Sequence, residues 1–409
     1  MTAALSPAHP GQAPSAGRRR FVGSLLAAGA TAPFSRLGWA APTAGPTAPR
    51  LVLVVLRGGL DGLAAVPVPD DPSFAPSRGA LAEFAQPALP LSGPFALHPS
   101  LAQLHALYQQ GEALVVHATG LPYRERSHFD AQQVLESGGA RPHELDTGWL
   151  ARALAAERGR GIALNTAVPL VLRGPGEIDT WSPSNQPDPS ADLISRLERV
   201  YSSDPALARA LGRARGLRQD PQMPVGGDMA AMQGAGRPVV IGLARKAAEF
   251  IGQPTGPQVA VLEMNGWDTH VNQTAPNGVL ANNLRTLDAA LAALREGLLA
   301  SGTWSRTAVL VVTEFGREVA MNGTQGTDHG SGGAAFVLGG AVAGGRVLAD
   351  WPGLARQDRF EGRDLRITTD LRAVFKGVLH DHLKVGAAAL SRDVFPGSEA
   401  IRPMALFRG

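Results

Sequence analysis

The sequence of 409 residues predicts an α/β protein whose central strands are buried and parallel. Residues 51–56 and 308–313 are continuous apolar or β-branched runs, which are typical of strands covered on both faces. Between them, leucines spaced alternately by three and four residues over 284–298 predict an amphipathic helix with one buried stripe. Buried strands that alternate with such helices indicate a parallel sheet with helices packed on it.

The composition excludes several classes of site. The chain has no cysteine, so disulfides, thiol chemistry and cysteine-bound metals are excluded, and histidine, aspartate and glutamate remain as metal ligands. The net charge is +3, but the first 40 residues hold four arginines and no acid, which leaves −1 for the remainder. No basic run or aromatic–basic alternation occurs in that remainder, so we expect no nucleic-acid partner.

Residues 1–40 resemble a twin-arginine export signal. Three consecutive arginines, residues 18–20, precede a weakly apolar segment and a small-x-small cleavage pattern at residues 38–40. The alternative is a disordered basic N-terminus. The signal predicts a periplasmic or otherwise exported protein with the twin-arginine translocase as its partner during export. No other segment has 18 uninterrupted apolar residues, so we expect no transmembrane segment in the mature chain.

Three parts are predicted along the chain: the signal, a Pro-rich linker over 41–49, and a single α/β domain over 50–409. Within the domain, a stretch rich in Pro and Gly turns near 174–235 is interpreted as a cap-like insertion. Further strands are predicted at 113–117, 169–173, 258–264 and 334–338, and further helices at 100–110, 147–158, near 191–215, and from residue 369 or 370.

Carboxylates and histidines follow several of the predicted strands. These candidates are Asp61 after the first strand, Asp268 and His270 after the strand at 258–264, Glu314 after the strand at 308–313, and Asp328 and His329 at the end of the following Gly-rich loop. Open α/β sheets present metal-binding or catalytic groups at the carboxyl ends of their strands. The structural alternatives are a hydrogen-bonded turn for Asp328-His329 and a capping aspartate beside a packed tryptophan for Asp268.

Ser127 lies at the start of an apparent helix, in the position of an N-cap. The free N–H groups and the positive end of the helix dipole stabilise an anion there, so Ser127 is a candidate nucleophile and His128 a candidate catalytic neighbour. The alternatives are simple capping for Ser127, and a metal-ligand role or a local hydrogen bond for His128.

Five motifs in order, LRGGLDGL, RSHF, GWDTH, TEFGR and TDHG, resemble those of a bacterial exported family that is catalogued as domain of unknown function 1501. The match covers residues 18–385. The order of the strand-end residues, together with the helix, turn and strand that end at Phe315, also resembles the alkaline phosphatase and sulfatase superfamily.

The resemblance implies a doubly wound three-layer α/β/α sandwich, with a metal site along the carboxyl edge of a mostly parallel sheet. It assigns Ser127 as the nucleophile. The implied metal ligands are Asp61, Asp268, His270, Glu314, Asp328 and His329. The implied cofactor is one or two divalent ions, with zinc, manganese, magnesium and calcium all left open, because oxygen and imidazole ligands suit each of them.

The activity implied is that of a metal-dependent hydrolase or transferase acting on phosphate-type esters of a small molecule, glycan or lipid. Sulfate esters are disfavoured, because the only string comparable to the sulfatase signature, residues 74–78, has Phe74 at the nucleophile position. Asp268 and His270 are two residues apart, whereas the superfamily spaces its pair by four. This departure favours the alternative, a non-catalytic periplasmic binding or assembly protein on the same fold, so enzymatic activity is left open.

Overall fold

The computed structural model describes residues 47–183, 189–218, 237–273 and 278–408, all of which belong to one compact unit, Pro42–Gly409. The predicted export signal and most of the predicted linker lie outside the described residues. None of the helices in the described part of the chain combines the length and the apolar character that a membrane crossing needs.

The strands alternate with helices along the chain. In chain order the strands are β1 (Arg50–Leu56), β2 (Leu89–Pro90), β3 (Ala96–Leu97), β4 (Ala113–Gly120), β5 (Arg160–Ala163), β6 (Glu177–Thr180), β7 (Val259–Met264), β8 (Thr307–Thr313), β9 (Gly333–Leu338), β10 (Val347–Leu348) and β11 (Thr369–Asp370). The α-helices are α1 (Gly62–Ala65), α2 (Phe74–Arg78), α3 (Ala102–Gln109), α4 (His128–Ser137), α5 (Trp149–Ala156), α6 (Ala191–Tyr201), α7 (Pro205–Arg218), α8 (Arg237–Gly252), α9 (Val279–Ala300), α10 (Leu371–Gly377) and α11 (Ala387–Ala389).

A nine-stranded sheet forms the centre of the described structure. Its order is β10-β4-β9-β8-β1-β7-β5-β6, with β11 also paired to β4, while β2 and β3 form a separate hairpin. β1 pairs in parallel with both β7 and β8, so that Leu56 lies beside Met264 on one side and Thr313 on the other. β9 is antiparallel to β4 and to β8. The prediction of a mostly parallel sheet is confirmed.

Two hydrophobic cores lie on opposite faces of the sheet, because successive side chains of β1 point to opposite sides. Val52 and Val54 belong to the core that contains Leu287 and the other inward-facing leucines of α9. Leu51 and Leu53 belong to the core that contains the aromatic residues of α5 and α10. Helices therefore cover both faces, and the predicted three-layer α/β/α arrangement is confirmed.

Two predicted elements differ from the structure. Residues 169–173 form a single 3-10 turn, Leu170–Leu172, in which Val171 donates its N–H to the Glu136 carboxylate at 2.9 Å. The side chain of Val171 is buried, as it would be in a strand. A short apolar run therefore does not distinguish a buried turn from a strand. The helix predicted near 191–215 is split into α6 and α7, because the Asp204 carboxylate accepts the N–H groups of Ala206 and Leu207 and so begins a second helix.

The strand directions bring the candidate residues to one edge of the sheet. β1, β7 and β8 are parallel, so their carboxyl ends and the loops carrying Asp61, Asp268 and Glu314 lie at the same edge. β9 runs the opposite way, so its amino end, Gly333, lies at this edge as well. The loop that enters β9 carries His329.

Candidate metal centre

The two ends of the loop that connects β8 to β9 are joined by backbone hydrogen bonds. Gly316 donates its N–H to Ser331 O at 3.0 Å, and Gly330 donates to Gly316 O at 2.9 Å. A Cβ atom at Gly316 would lie 1.8 Å from Gly332 O, so only glycine permits this approach. The Gly-rich sequence therefore holds the start of this loop, with Glu314, against the part of it that carries His329.

Two histidines at this edge are oriented by carboxylates. His128 is the first residue of α4, and its Nδ1 lies 2.8 Å from Glu314 Oε1. His270 follows β7, and its Nδ1 lies 3.0 Å from Asp328 Oδ1. A carboxylate oxygen accepts a hydrogen bond, so each Nδ1 carries the ring proton and each Nε2 of a neutral ring has a free lone pair.

His329 is oriented by a backbone group instead. Its Nδ1 lies 3.0 Å from the carbonyl oxygen of Arg126, the residue before Ser127. A carbonyl also only accepts, so the Nε2 atom of His329 likewise keeps its lone pair.

The three Nε2 atoms converge on one another. His329 Nε2 lies 3.0 Å from His128 Nε2 and 2.9 Å from His270 Nε2. Asp268 Oδ1 joins them, at 2.9 Å from His270 Nε2, 3.2 Å from His329 Nε2 and 3.5 Å from His128 Nε2. Among the described residues, His128, Asp268 and His329 form a group whose ligand atoms all lie within 4.8 Å of one another, as one metal ion requires.

Arg317 is the neighbour of this group that the sequence analysis did not single out. Its Nη2 donates to Asp268 Oδ1 at 2.7 Å, and its side chain is completely buried. Nε and Nη1 of Arg317 have no hydrogen-bond partner among the described residues. Its place in a motif could have indicated it, because Arg317 is the last residue of TEFGR, just as Arg126 is the first of RSHF.

The Glu314 carboxylate is buried and remains ionised. Burial by itself would raise the pKa of Glu314, but hydrogen bonds from His128 and Gln132 and from the Gly58 N–H hold it below the usual value. In turn the pKa of His128 is raised, chiefly by its hydrogen bond to Glu314. The pKa of His329 is lowered, first by burial and then by the nearby charges of His128 and Arg317. The paired rings therefore differ in their affinity for a proton.

Asp61 lies outside the group. Its Oδ1 accepts the Ala64 N–H at 3.1 Å, as the N-cap of α1. Its Oδ2 accepts hydrogen bonds from the buried guanidinium of Arg78 and from the amide of Gln273. Both carboxylate oxygens are therefore occupied by protein donors, and the structure shows Asp61 in an internal ion pair.

Ser127 occupies the N-cap position of α4, as its spacing predicted, but its hydroxyl makes no capping hydrogen bond. The nearby Tyr123 hydroxyl donates to Asp130 Oδ2 at 3.1 Å, and the pKa of Tyr123 is raised first by burial and then by this hydrogen bond. Of the two residues predicted to be catalytic, His128 brings its Nε2 into the group, and Ser127 lies next to it at the amino end of α4. Glu314 and Asp328, predicted as ligands, lie behind the histidines and orient them.

The donor set fits a divalent metal ion. Two imidazole nitrogens and one carboxylate oxygen from three separate segments converge, and the ring nitrogens that face away are hydrogen-bonded to oxygen acceptors. Metal-binding histidines in proteins almost always donate their second N–H to a carboxylate or carbonyl in this way.

Several solved structures are similar to this chain at low sequence identity. Ps i-CgsB in complex with k-i-k-neocarrahexaose is 10% identical, with a TM-score of 0.45 over 87% of this chain and 75% of that chain. The phosphonate monoester hydrolase of Agrobacterium radiobacter is 12% identical, with a TM-score of 0.38 over 83% and 74%. The C-terminal periplasmic domain of EcEptC from Escherichia coli, a complex with Zn, is 12% identical, with a TM-score of 0.37 over 71% and 73%.

No curated protein matches the chain. A family model does, over residues 94–392, and its description is "Protein of unknown function (DUF1501)". This range includes the four later motifs, from RSHF to TDHG, and every residue of the candidate metal-binding group. The chain therefore belongs to the DUF1501 family, as its motifs predicted.

Proposed function

We propose that His128, Asp268 and His329 bind a divalent metal ion and that the protein is an exported, metal-dependent hydrolase or transferase of phosphate-type esters. The observation that carries this proposal is the convergence of three Nε2 atoms whose rings are already fixed through Nδ1. Neutral rings protonated on Nδ1 present lone pairs to one another at 2.9–3.0 Å, which is repulsive unless a cation lies between them.

A proton and a metal ion are the two cations that could relieve this repulsion. One proton on His128 would make a single hydrogen bond to His329 and leave the contact between His270 and His329 as it is. A divalent ion would interact with two rings and the Asp268 carboxylate together, which favours the metal. Imidazole donors favour zinc over magnesium or calcium, which prefer oxygen ligands.

The charges around the group favour an anionic ester. Arg317 places a positive charge beside Asp268, and its side chain is too buried for water to screen that charge. Asp268 and His270 are partly exposed, so a substrate can reach the group. A bound divalent ion supplies Lewis acidity toward an ester oxygen. The chain's own residues orient the ligand rings, that of His128 through the Glu314 carboxylate and that of His329 through the Arg126 carbonyl.

Metal analysis of the purified protein tests the proposal. We expect about one divalent ion per chain, most of it zinc, in the wild type and a loss of that ion in Asp268→Asn and His329→Gln. His380→Gln is the matched control, because His380 is exposed and its Nδ1 pairs with the neighbouring Asp381 carboxylate. Metal-free wild-type protein, or equal metal in all four proteins, would refute the site.

An ester assay then tests the reaction. We expect the metal-loaded wild type to cleave p-nitrophenyl phosphate, the bis-ester or a phosphonate ester, and a chelator or His329→Gln to abolish the cleavage. p-Nitrophenyl sulfate is the comparison substrate and should be cleaved least.

A binding protein is the second candidate, and the internal ion pair of Asp61 favours it. Asp61, which the resemblance implied as a metal ligand, is paired with Arg78 instead, so the group holds fewer ligands than the resemblance implied. Stoichiometric metal together with no cleavage of any ester would support this candidate, since the metal site then exists without a reaction.

We also propose that export depends on the arginine pair in the first 40 residues. Replacing Arg18 and Arg19 by lysine keeps the charge but removes the paired arginines that twin-arginine export reads. The variant should stay in the cytoplasm, whereas the wild type is expected in the periplasmic fraction. Equal export of both proteins would contradict the assignment.

A further inference from the structure

Asp364 is a fully buried carboxylate that lies outside the metal-binding group and was not a candidate from the sequence. One of its oxygens, Oδ2, accepts a hydrogen bond from Arg126 Nε at 2.7 Å and a second from Ser331 Oγ at 2.8 Å. The other oxygen, Oδ1, accepts from Arg363 Nη1 at 3.0 Å. The carboxylate therefore joins three segments of the chain.

The two donors that share Oδ2 are each two residues from a histidine of the group. Arg126 precedes His128 at the start of α4, and Ser331 follows His329 in the loop that enters β9. We propose that Asp364 is a positioning residue that holds these two loops in register through a single oxygen atom. This inference deepens the proposed metal centre and rests on it for its consequence.

The backbone of Arg126 has the conformation that the contact with Asp364 would stabilise. Its φ angle is +61°, in the left-handed region that non-glycine residues rarely adopt. In this conformation the Arg126 carbonyl accepts the Nδ1 hydrogen of His329, which fixes the tautomer of that ring. The bond from the Arg126 guanidinium to Asp364 keeps residue 126 in this disfavoured conformation. Loss of the Asp364 charge would let residue 126 relax and would turn its carbonyl away from His329.

Glu361 provides a natural contrast. It also pairs with Arg126, through Nη2, but its side chain is 57% exposed, whereas that of Asp364 is 0% exposed. An exposed ion pair is screened by water and contributes little, while a buried one strongly constrains its partner. Glu361→Gln is therefore the matched control for Asp364→Asn, because both variants remove one acidic partner of the same arginine.

Histidine ring NMR on the metal-free protein measures the positioning directly. With ¹⁵N-labelled histidine, long-range ¹H–¹⁵N spectra show which ring nitrogen carries the proton, and His329→Gln identifies the His329 signal. We expect His329 to be protonated on Nδ1 in the wild type and in Glu361→Gln. In Asp364→Asn a second form, protonated on Nε2, should appear. In Arg126→Gly the glycine adopts the left-handed backbone without strain, so the form protonated on Nε2 should be less populated than in Asp364→Asn.

Zinc affinity, measured by chelator competition on the same proteins, gives the consequence. Asp364→Asn should bind Zn²⁺ about 10- to 100-fold more weakly than the wild type, and Glu361→Gln equally well. If Asp364→Asn does not fold, Ser331→Ala removes one of the two bonds to Oδ2 and should shift both measurements in the same direction.

The outcomes separate this inference from the proposed function. A folded Asp364→Asn protein whose His329 keeps the Nδ1 proton overturns the positioning role, whatever its metal content. A change of tautomer in Asp364→Asn together with a wild type that binds no zinc supports the positioning role and overturns the metal-dependent function. A change of tautomer with weakened zinc binding supports both.

Discussion

Asp61 and Glu314 are two buried carboxylates in loops that follow the neighbouring parallel strands β1 and β8, and each is only 1% exposed. Asp61 accepts hydrogen bonds from the guanidinium of Arg78 and the amide of Gln273. Glu314 accepts from the imidazole of His128, the amide of Gln132 and a backbone N–H. The two carboxylates thus follow neighbouring strands at the same edge of the sheet, and they differ in the residue that neutralises them.

The two partners, Arg78 and His128, differ in what their remaining nitrogen atoms contact. Arg78 is itself fully buried, and its remaining bonds end on the backbone carbonyls of Glu318 and Val319. His128 has a second ring nitrogen, which faces His329 and Asp268 at the partly exposed group. The Asp61–Arg78 pair therefore bonds only to other parts of the protein interior among the contacts described, whereas the Glu314–His128 pair orients a ring that reaches the group.

The largest expected effect comes from breaking the Asp61 pair. Asp61→Asn leaves the Arg78 charge buried without its counter-ion, so the free energy of unfolding should fall by about 3–5 kcal/mol. Urea unfolding measures this, and zinc analysis of the folded fraction should show no loss of metal. Loss of zinc with unchanged stability would instead make Asp61 a ligand, as the sequence suggested.

Acid should destabilise the Asp61 side of the edge through His117. Its ring is fully buried, with Nε2 bonded to the carbonyl of Val66, and burial lowers the pKa of His117 to about 4. The unfolded chain takes up this proton near pH 6.5, so the stability contribution is complete above pH 6.5 and is lost as the pH falls toward 4. The loss is about 3 kcal/mol over that window.

Urea unfolding between pH 7 and pH 4.5 tests this pH dependence. His117→Gln should reduce the slope by about 1.4 kcal/mol per pH unit, which is the contribution of one proton. The exposed His380→Gln variant is the control and should leave the slope unchanged. An unchanged slope in His117→Gln would show that other groups govern acid stability.

A substitution of Glu314 should reduce stability less, and metal binding more, than a substitution of Asp61. Glu314→Gln keeps the size and one carbonyl oxygen but removes the charge that orients His128. We expect zinc affinity to fall about 10- to 100-fold, while the unfolding free energy changes less than in Asp61→Asn. If Glu314→Gln and Asp61→Asn prove alike in both measurements, the contrast between the two carboxylates fails.

The smallest expected effect is that of Ser127→Ala. The Ser127 hydroxyl makes no capping bond and does not join the group, so stability should fall by less than about 0.5 kcal/mol and zinc content should not change. Thermal unfolding and metal analysis measure both. A loss of ester cleavage of about 100-fold or more, with zinc retained, would instead identify Ser127 as the nucleophile that its position at the helix start predicted.

Much of the fold follows from local patterns in the sequence. The strand predicted at 308–313 is β8, and the leucine spacing at 284–298 lies within α9, because burial on two faces or on one stripe leaves a periodic signature. The prediction of a strand at 169–173 is wrong, because a buried 3-10 turn and a short strand require the same apolar residues.

The sequence by itself determined the absence of cysteine chemistry, the buried parallel strands, and the family, through motifs whose residues are close together in the chain. It also identified the histidines and carboxylates of the edge. Only the tertiary structure decided which of them face one another. Asp61 meets Arg78, Glu314 meets His128, and Asp364 meets both Arg126 and Ser331 across 238 and 33 residues of chain. Such pairings depend on the strand order and on the approach of distant loops, which no local spacing encodes.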